Sequence, residues 1–356
     1  MIMSRKLKLE LIWRCTILLG LACLLRSIPV WSPPLLQHIR SGFPYEAAHQ
    51  ATVSVPAEDR PAEQILSPAP QQPVYETPER RRFLPLLRFR DLLEETPPVA
   101  ETPALPDLAP LPDFSSADVG KIAVRGSCTL PYDAEALLTA PLPAQASADG
   151  PQVLIVHTHS TEAFMQEDGW EYEETELCRT LDPEYSVIRL GAEIASVLEH
   201  YGIAVLHDKT INDYPSYAGS YDRMEAIIQT YLAKYPSIRM VLDVHRDAFD
   251  APDGSLGGTA EDGTARVMLV TGTNEGGLYH PNWEDNLSVS MKLEYLMNTN
   301  NPGLSRGISL TTQRYNQHLT PMSLLAEFGA AGDTLQEAIS AARQFACSLA
   351  QLLTGS

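Results

Sequence analysis

From Val153 onward the hydrophobic positions follow two alternating rhythms. "VLIV" (Val153 to Val156) is a continuous apolar run of strand length, the pattern of a central strand covered on both faces. Val187, Leu190, Ile194, Val197, Leu198 and Tyr201 then fall on one helical stripe, stopped by Gly202. "IAVL" (Ile203 to Leu206) is strand-like again. Met224, Ile227, Ile228, Tyr231 and Leu232 form the inner face of a helix from about Asp222 to Tyr235, with Pro236 after it. The pattern then predicts strands at Ile238 to Val244 and Arg266 to Thr271, a helix at about Asn286 to Met297, a short strand within Pro321 to Phe328, and a closing helix from Thr334 to about Leu353. Strands that alternate with helices predict an α/β domain built on a mainly parallel sheet with helices on both faces.

The N-terminal part of the chain has neither rhythm. Twenty of the 28 prolines lie before residue 144, and Ser32 to Pro112 shows no period on which an apolar face could be built. That composition predicts a disordered, proline-rich linker over residues 32–120, ahead of a catalytic domain over 121–356. Within it, "RFLPLLRFRDLLEE" has the makings of one short amphipathic helix able to dock on a partner. Ahead of the linker, Arg5, Lys6, Lys8 and Arg14 precede the apolar run "CTILLGLACLL" (Cys15 to Leu25), followed by Arg26. Counted from Leu9 to Trp31, this is a membrane anchor within residues 1–31 whose cations keep its N-terminus cytoplasmic; a cleaved signal peptide is the alternative reading. Either way, everything after Trp31 is expected outside the cytoplasm. The anchor makes it a single-pass protein of the cell membrane.

Charge removes one class of partner. A net charge of -19 excludes nucleic acid, which is held by clustered Lys and Arg. The five cysteines supply neither CxxC nor a Cys/His zinc spacing, and two of them, Cys15 and Cys23, lie in the anchor.

Ligands of an open α/β sheet collect outside the carboxyl ends of its strands. His157 and His159 end the first strand, His245 ends "MVLDV", and Glu327 lies near the end of "SLLAE", so three strands deliver ionisable groups to one rim. His159 and Glu162 form an H-x-x-E pair past a strand. With His245 they offer two imidazoles and one carboxylate to zinc, leaving a fourth position open and Glu327 as the general base. His157 either replaces His159 as the ligand or supports the site by hydrogen bonding. Asp243 and Asp247 flank His245 and are placed to orient it, and Arg246 is a candidate for holding a substrate carboxylate. The glycine-rich "DAPDGSLGGTAEDGT" (Asp250 to Thr264) is a candidate mobile border.

The segments "HTHSTEAF", "DVHRDA" and "RYNQHLTPMSLLAEFG", in that order and spacing, resemble the stage II sporulation protein P family over roughly Lys121 to the C-terminus. The resemblance implies a zinc amidase-like domain acting on peptidoglycan as an N-acetylmuramoyl-L-alanine amidase and D,D-endopeptidase. It also implies service in engulfment during sporulation, beside stage II sporulation proteins D and M. Position by position it supports His245 as a ligand and Glu327 as the acid/base, and it leaves the choice within "HTHSTE" open. One departure is Asp333, at a position where the family pattern has Asn. Two rival functions share these residues: a zinc peptidase that only trims stem peptides, and a murein-binding scaffold without turnover.

Overall fold

In the computed structural model, residues 104–144 and 150–355 are described, so the expected anchor and most of the expected linker lie outside the described residues. The elements in chain order are β1 (Val124–Gly126), α1 (Ala134–Thr139), β2 (Val153–Val156), α2 (Val187–His200), β3 (Val205–His207), α3 (Ser220–Lys234), β4 (Met240–Asp247), β5 (Val267–Thr271), α4 (Trp283–Asn300), β6 (Ser305–Leu310), β7 (Ser323–Ala330) and α5 (Leu335–Thr354). The strands form one sheet in the order β1-β6-β5-β7-β4-β2-β3. Every pairing is parallel except β5 with β7. The sheet is thus two parallel blocks joined back to back, mostly parallel as the alternation of elements predicts. β1 and β6 are strands that the hydrophobic pattern does not reveal. β1 is three residues long, and β6 carries Arg306 and Gly307 among its apolar positions.

Side-chain alternation divides the residues between two faces. Val153 and Ile155 of β2, Leu242 and Val244 of β4, Val267 and Leu269 of β5, and Leu324, Ala326 and Phe328 of β7 join α2, α4 and α5 in one large core. Leu154, Val156 and Val241 point the other way and meet Met224 and Ile228 of α3 in a much smaller one. The helix-rich face is sealed. The opposite face is covered by α3 over β2 and β4, and there the alternate positions of β4 and β7 become polar: Asp243, His245 and Glu327.

The helices begin and end where their caps dictate. Ser186 accepts the Ile188 N–H at the start of α2, and Thr334 and Glu337 form a capping box at the start of α5. At the N-terminal end the packed body starts earlier than Lys121. Leu105, Leu108, Leu111, Phe114 and Val119 pack against the large core, and a 3-10 turn over Ser116–Lys121 is fixed by Asp118, which accepts from Ser115 and Lys121. Spaced leucines in a proline-rich stretch lack a helical or strand period, so the pattern along the chain does not mark them as core.

Candidate active site

β2 ends at Val156, and its continuation builds the rim. The Thr158 N–H and Oγ1 donate to Asp243 Oδ1 and Oδ2 at 2.8 and 2.6 Å, tying the chain to β4. The Glu162 N–H donates to the His159 carbonyl at 3.1 Å, closing the one-turn step that brings the H-x-x-E side chains to one side. Glu162 is 2% exposed, and its Oε2 lies 3.4 Å from His245 Nδ1 and accepts the Arg246 N–H at 3.2 Å. The other nitrogen of His245, Nε2, is 3.0 Å from Asp243 Oδ1, an ion-pair distance off the line of a hydrogen bond. The His159 ring stands edge-on to His245 with centroids 5.4 Å apart. Glu327 is the register partner of His245 on β7, and its Oε2 is buried without a hydrogen bond among the described residues.

The charges shape one another. Burial alone would raise Glu162, but Arg246, His245 and His159 hold it well below the usual carboxylate range. Burial alone would lower His245, but Asp243 and Glu162 raise it well above the usual imidazole value. Burial lowers His159 to about 4, opposed by Glu162. Glu327 goes the other way: burial, together with the nearby Glu162 and Asp247 charges, pushes it up to about 8 against the pull of His245. Two carboxylates a few residues apart in space are therefore held at opposite ends of the carboxyl range, as in an acid/base pair.

The other sequence-chosen residues are placed as follows. His157 lies on the opposite side of the sheet from His245. Its Nδ1 bonds the Val244 carbonyl at 3.2 Å and its Nε2 meets His207 Nε2 at 2.8 Å, beneath Gly191 of α2, where a Cβ would stand 2.7 Å from that nitrogen. It reaches the site only through the backbone preceding His245. Burial lowers it to about 3, so it is a neutral packing residue. Arg246 does not face the rim. One residue on from His245, it alternates to the sealed side and donates to the carbonyls of Ala163 and Cys178 at 3.0 and 3.2 Å, 6% exposed. Its place as the holder of a substrate carboxylate is corrected to that of an internal tie that also lowers Glu162. Asp247 faces the rim and accepts from Arg306 at 2.8 Å.

Three participants were not legible from spacing. Tyr217 stacks on His159 with centroids 4.3 Å apart and places its hydroxyl 3.0 Å from His159 Nε2. Asp213 lies 3.8 Å from His159 Nδ1 and anchors Ser160, Thr161 and Arg179. Arg179 bridges Asp213 at 2.7 Å and Glu162 at 3.7 Å. The only signal for the first two was the tyrosine-rich turn "INDYPSYAGSY" immediately ahead of α3.

Two imidazoles and a carboxylate are a donor set suited to a divalent ion such as zinc. Glu162 and His245 already converge. Among the described residues no three His, Cys, Asp or Glu side chains close around one point, and His159 Nε2 is engaged by Tyr217. The donor types suit zinc, and of the three side chains Glu162 and His245 stand together at 3.4 Å.

Comparison with known proteins adds identity. Stage II sporulation protein P of Bacillus subtilis (strain 168) is 30% identical over 210 residues, covering 55% of this chain and 49% of that protein, so the chain matches about half the length of its curated relative. Among solved structures, the N-acetylmuramoyl-L-alanine amidase AmiC2 of Nostoc punctiforme is 13% identical over 58% of this chain and 97% of its own, with a TM-score of 0.33. The N-acetylmuramyl-L-alanine amidase Ami1 from Mycobacterium smegmatis is 10% identical over 60% of this chain and 100% of its own, with a TM-score of 0.36. The family model for stage II sporulation protein P matches residues 101–350, which take in the whole sheet, its helices up to the last turn of α5, and the site just described. The chain belongs to the stage II sporulation protein P family.

Proposed function

We propose that the protein is a peptidoglycan hydrolase that cleaves the amide between the muramic acid lactyl group and L-Ala, with D,D-endopeptidase activity on the stem peptides, during engulfment in sporulation. The observation that carries this reading is the placement of Glu327, whose Oε2 is buried, in register with His245, itself 3.4 Å from Glu162; burial pushes the Glu327 carboxyl up to about 8. Zinc held by His159, Glu162 and His245 would supply an activated water and polarise the scissile carbonyl. Glu327 accepts the proton lost as water attacks and returns it to the leaving amine, a cycle that suits a group whose proton is exchanged near neutral pH. Asp243 and Glu162 keep His245 in one orientation. Asp213 and Tyr217 do the same for His159.

The membrane anchor, the extracytoplasmic location and the partnership with stage II sporulation proteins D and M belong to the same proposal, supported by the family and by the N-terminal cations. Mass analysis of muropeptides released from purified sacculi tests the activity. Free stem peptides from wild type, absent with Glu327→Gln, are expected. Trimmed crosslinks alone would reduce the reading to a peptidase, and no release from wild type would overturn it.

A further inference from the structure

We infer that Arg306, on β6, is the specificity residue that receives a carboxylate of the peptide substrate. This rests on the amide-hydrolase reading above.

The inference begins with a break in alternation. Ile308 and Leu310 of β6 belong to the large core, and simple alternation would send Arg306 to the same sealed face. The register prevents it: Ser305 pairs with Val267, but Ile308 pairs with Leu269, so β6 holds one extra residue opposite Met268. The bulge is made at Gly307, whose φ of +90 a side chain would strain and whose Cβ would lie 2.7 Å from the Ala123 carbonyl oxygen. It turns Arg306 onto the face that carries Glu327. Met268 is in turn the register partner of Glu327, and Glu327 that of His245. One row across four strands therefore reads Arg306, Met268, Glu327, His245: a cation, an apolar floor, the base and the imidazole.

The guanidinium is half used. It reaches over the intervening strands to donate Nη2 to Asp247 Oδ2 at 2.8 Å, while Nε is buried and makes no hydrogen bond within the described residues. Leaving a buried donor unmade is costly, which marks a group completed by something else. Phe249, 41% exposed and at the start of the glycine-rich border, stands 5.9 Å from the guanidinium carbon. The face it borders gathers Asp243, Glu162, Asp247 and Glu327 on a chain of net charge -19, and its other guanidinium, Arg179, is taken up by Asp213 at 2.7 Å and Glu162 at 3.7 Å. An anionic peptide needs a cation here, and Arg246 is turned inside. The guanidinium is held beside Asp247, two residues beyond His245 on β4, a span of roughly 7 Å that an extended peptide covers in two to three residues, so the carboxylate lies within about three residues of the scissile amide.

The test uses the purified full chain and sacculi in two forms, with free carboxylates or with carboxylates converted to methylamides. Wild type is expected to release stem peptides from the free form with a kcat/KM roughly tenfold or more above the amidated form, the size of one charge-assisted contact. Arg306→Gln should bring that ratio close to one through KM, Arg306→Lys should fall between, and Arg189→Gln, the same charge change on α2, should keep the wild-type ratio. An unchanged ratio in Arg306→Gln, or an equal loss on both substrates, would overturn the assignment in favour of a structural ion pair with Asp247. Cosedimentation with the same two sacculi reads the preference without turnover. A carboxylate preference that Arg306→Gln abolishes supports Arg306 even where nothing is released, an outcome that would sink the hydrolase reading alone.

Discussion

Residues 327 and 328 are neighbours on one strand and live under opposite rules. Phe328 points into the helix-rich face, is fully buried and packs edge-on against Phe345 of α5 with centroids 5.0 Å apart. Glu327 points to the other face and is only part-buried, with a buried Oε2 that makes no hydrogen bond among the described residues. One face is a continuous apolar core, where burial is favourable at about 25 cal/mol per Å². The other collects Glu162, Asp243, His245 and Glu327, each of which pays a desolvation cost that only mutual charge and hydrogen bonding offset. Stability therefore comes mainly from one face of the sheet and chemistry from the other. The alternation of a β-strand lets adjacent residues serve both.

That contrast breaks most sharply at this pair. Glu327→Gln is expected to lower stem-peptide release by roughly 10²- to 10⁴-fold, the usual worth of a general base. It should leave the melting temperature and zinc retention at or near wild type. Phe328→Ala should do the reverse in stability, costing about 3–5 kcal/mol through lost burial and the cavity left behind. Thermal unfolding and metal content, measured side by side for both variants, decide. Loss of zinc in Glu327→Gln would mean that ligand and base had been exchanged in the assignment above.

The two faces also differ in how much of them the chain pattern discloses. The sealed face is written in period: the stripes of α2 and α5 and the run "VLIV" each point to a strand or helix that the structure contains. The polar face is legible only in part. His245 and Glu327 are strand-end residues that topology brings together across β4 and β7. Asp213 and Tyr217 reach His159 from a loop with no period to read, and Arg306 reaches the row through a bulge. A glycine inside a strand pattern is a sequence signal for a bulge, but β6 is not recognisable as a strand, so the signal has no frame. Arg246 follows a related rule: the residue next to His245 on β4 points to the opposite face of the sheet.

Asp333 sharpens the comparison at the border of the site. Its carboxylate is 2% exposed and accepts four donors: the N–H groups of Thr259, Ala260 and Ala330 and the Thr259 hydroxyl, at 2.6 to 2.9 Å. It thus clamps the glycine-rich segment to the turn after β7. A carboxylate can accept all four, whereas the amide of Asn would turn its own donors towards N–H groups. Asp333→Asn is expected to cost this chain about 1–3 kcal/mol and to speed hydrogen exchange at Thr259 and Ala260. Unchanged exchange at those amides would show that the segment is held by other contacts.

The smallest effect tests whether the sealed face tolerates charge. Glu294 of α4 is 1% exposed on that face, accepting from the Ala123 N–H at 3.4 Å and the Asn298 amide at 3.0 Å. Burial raises it from 4.5 to about 7. Between those values the unfolded chain has released this proton and the folded chain still holds it, so stability falls as pH rises across the window and the loss levels off above pH 7. Lys292, lowered by burial to about 8, titrates above most of this range. Glu294→Gln removes the ionisation and keeps an amide oxygen for the same donors. The variant should match wild type near pH 4.5 and exceed it by about 1–3 kcal/mol at pH 7.5 or so, by the linkage of one shifted group. Parallel stability curves for the two proteins across that range would mean that the carboxylate ionises on folding without penalty, and that the sealed face admits charge as readily as the open one.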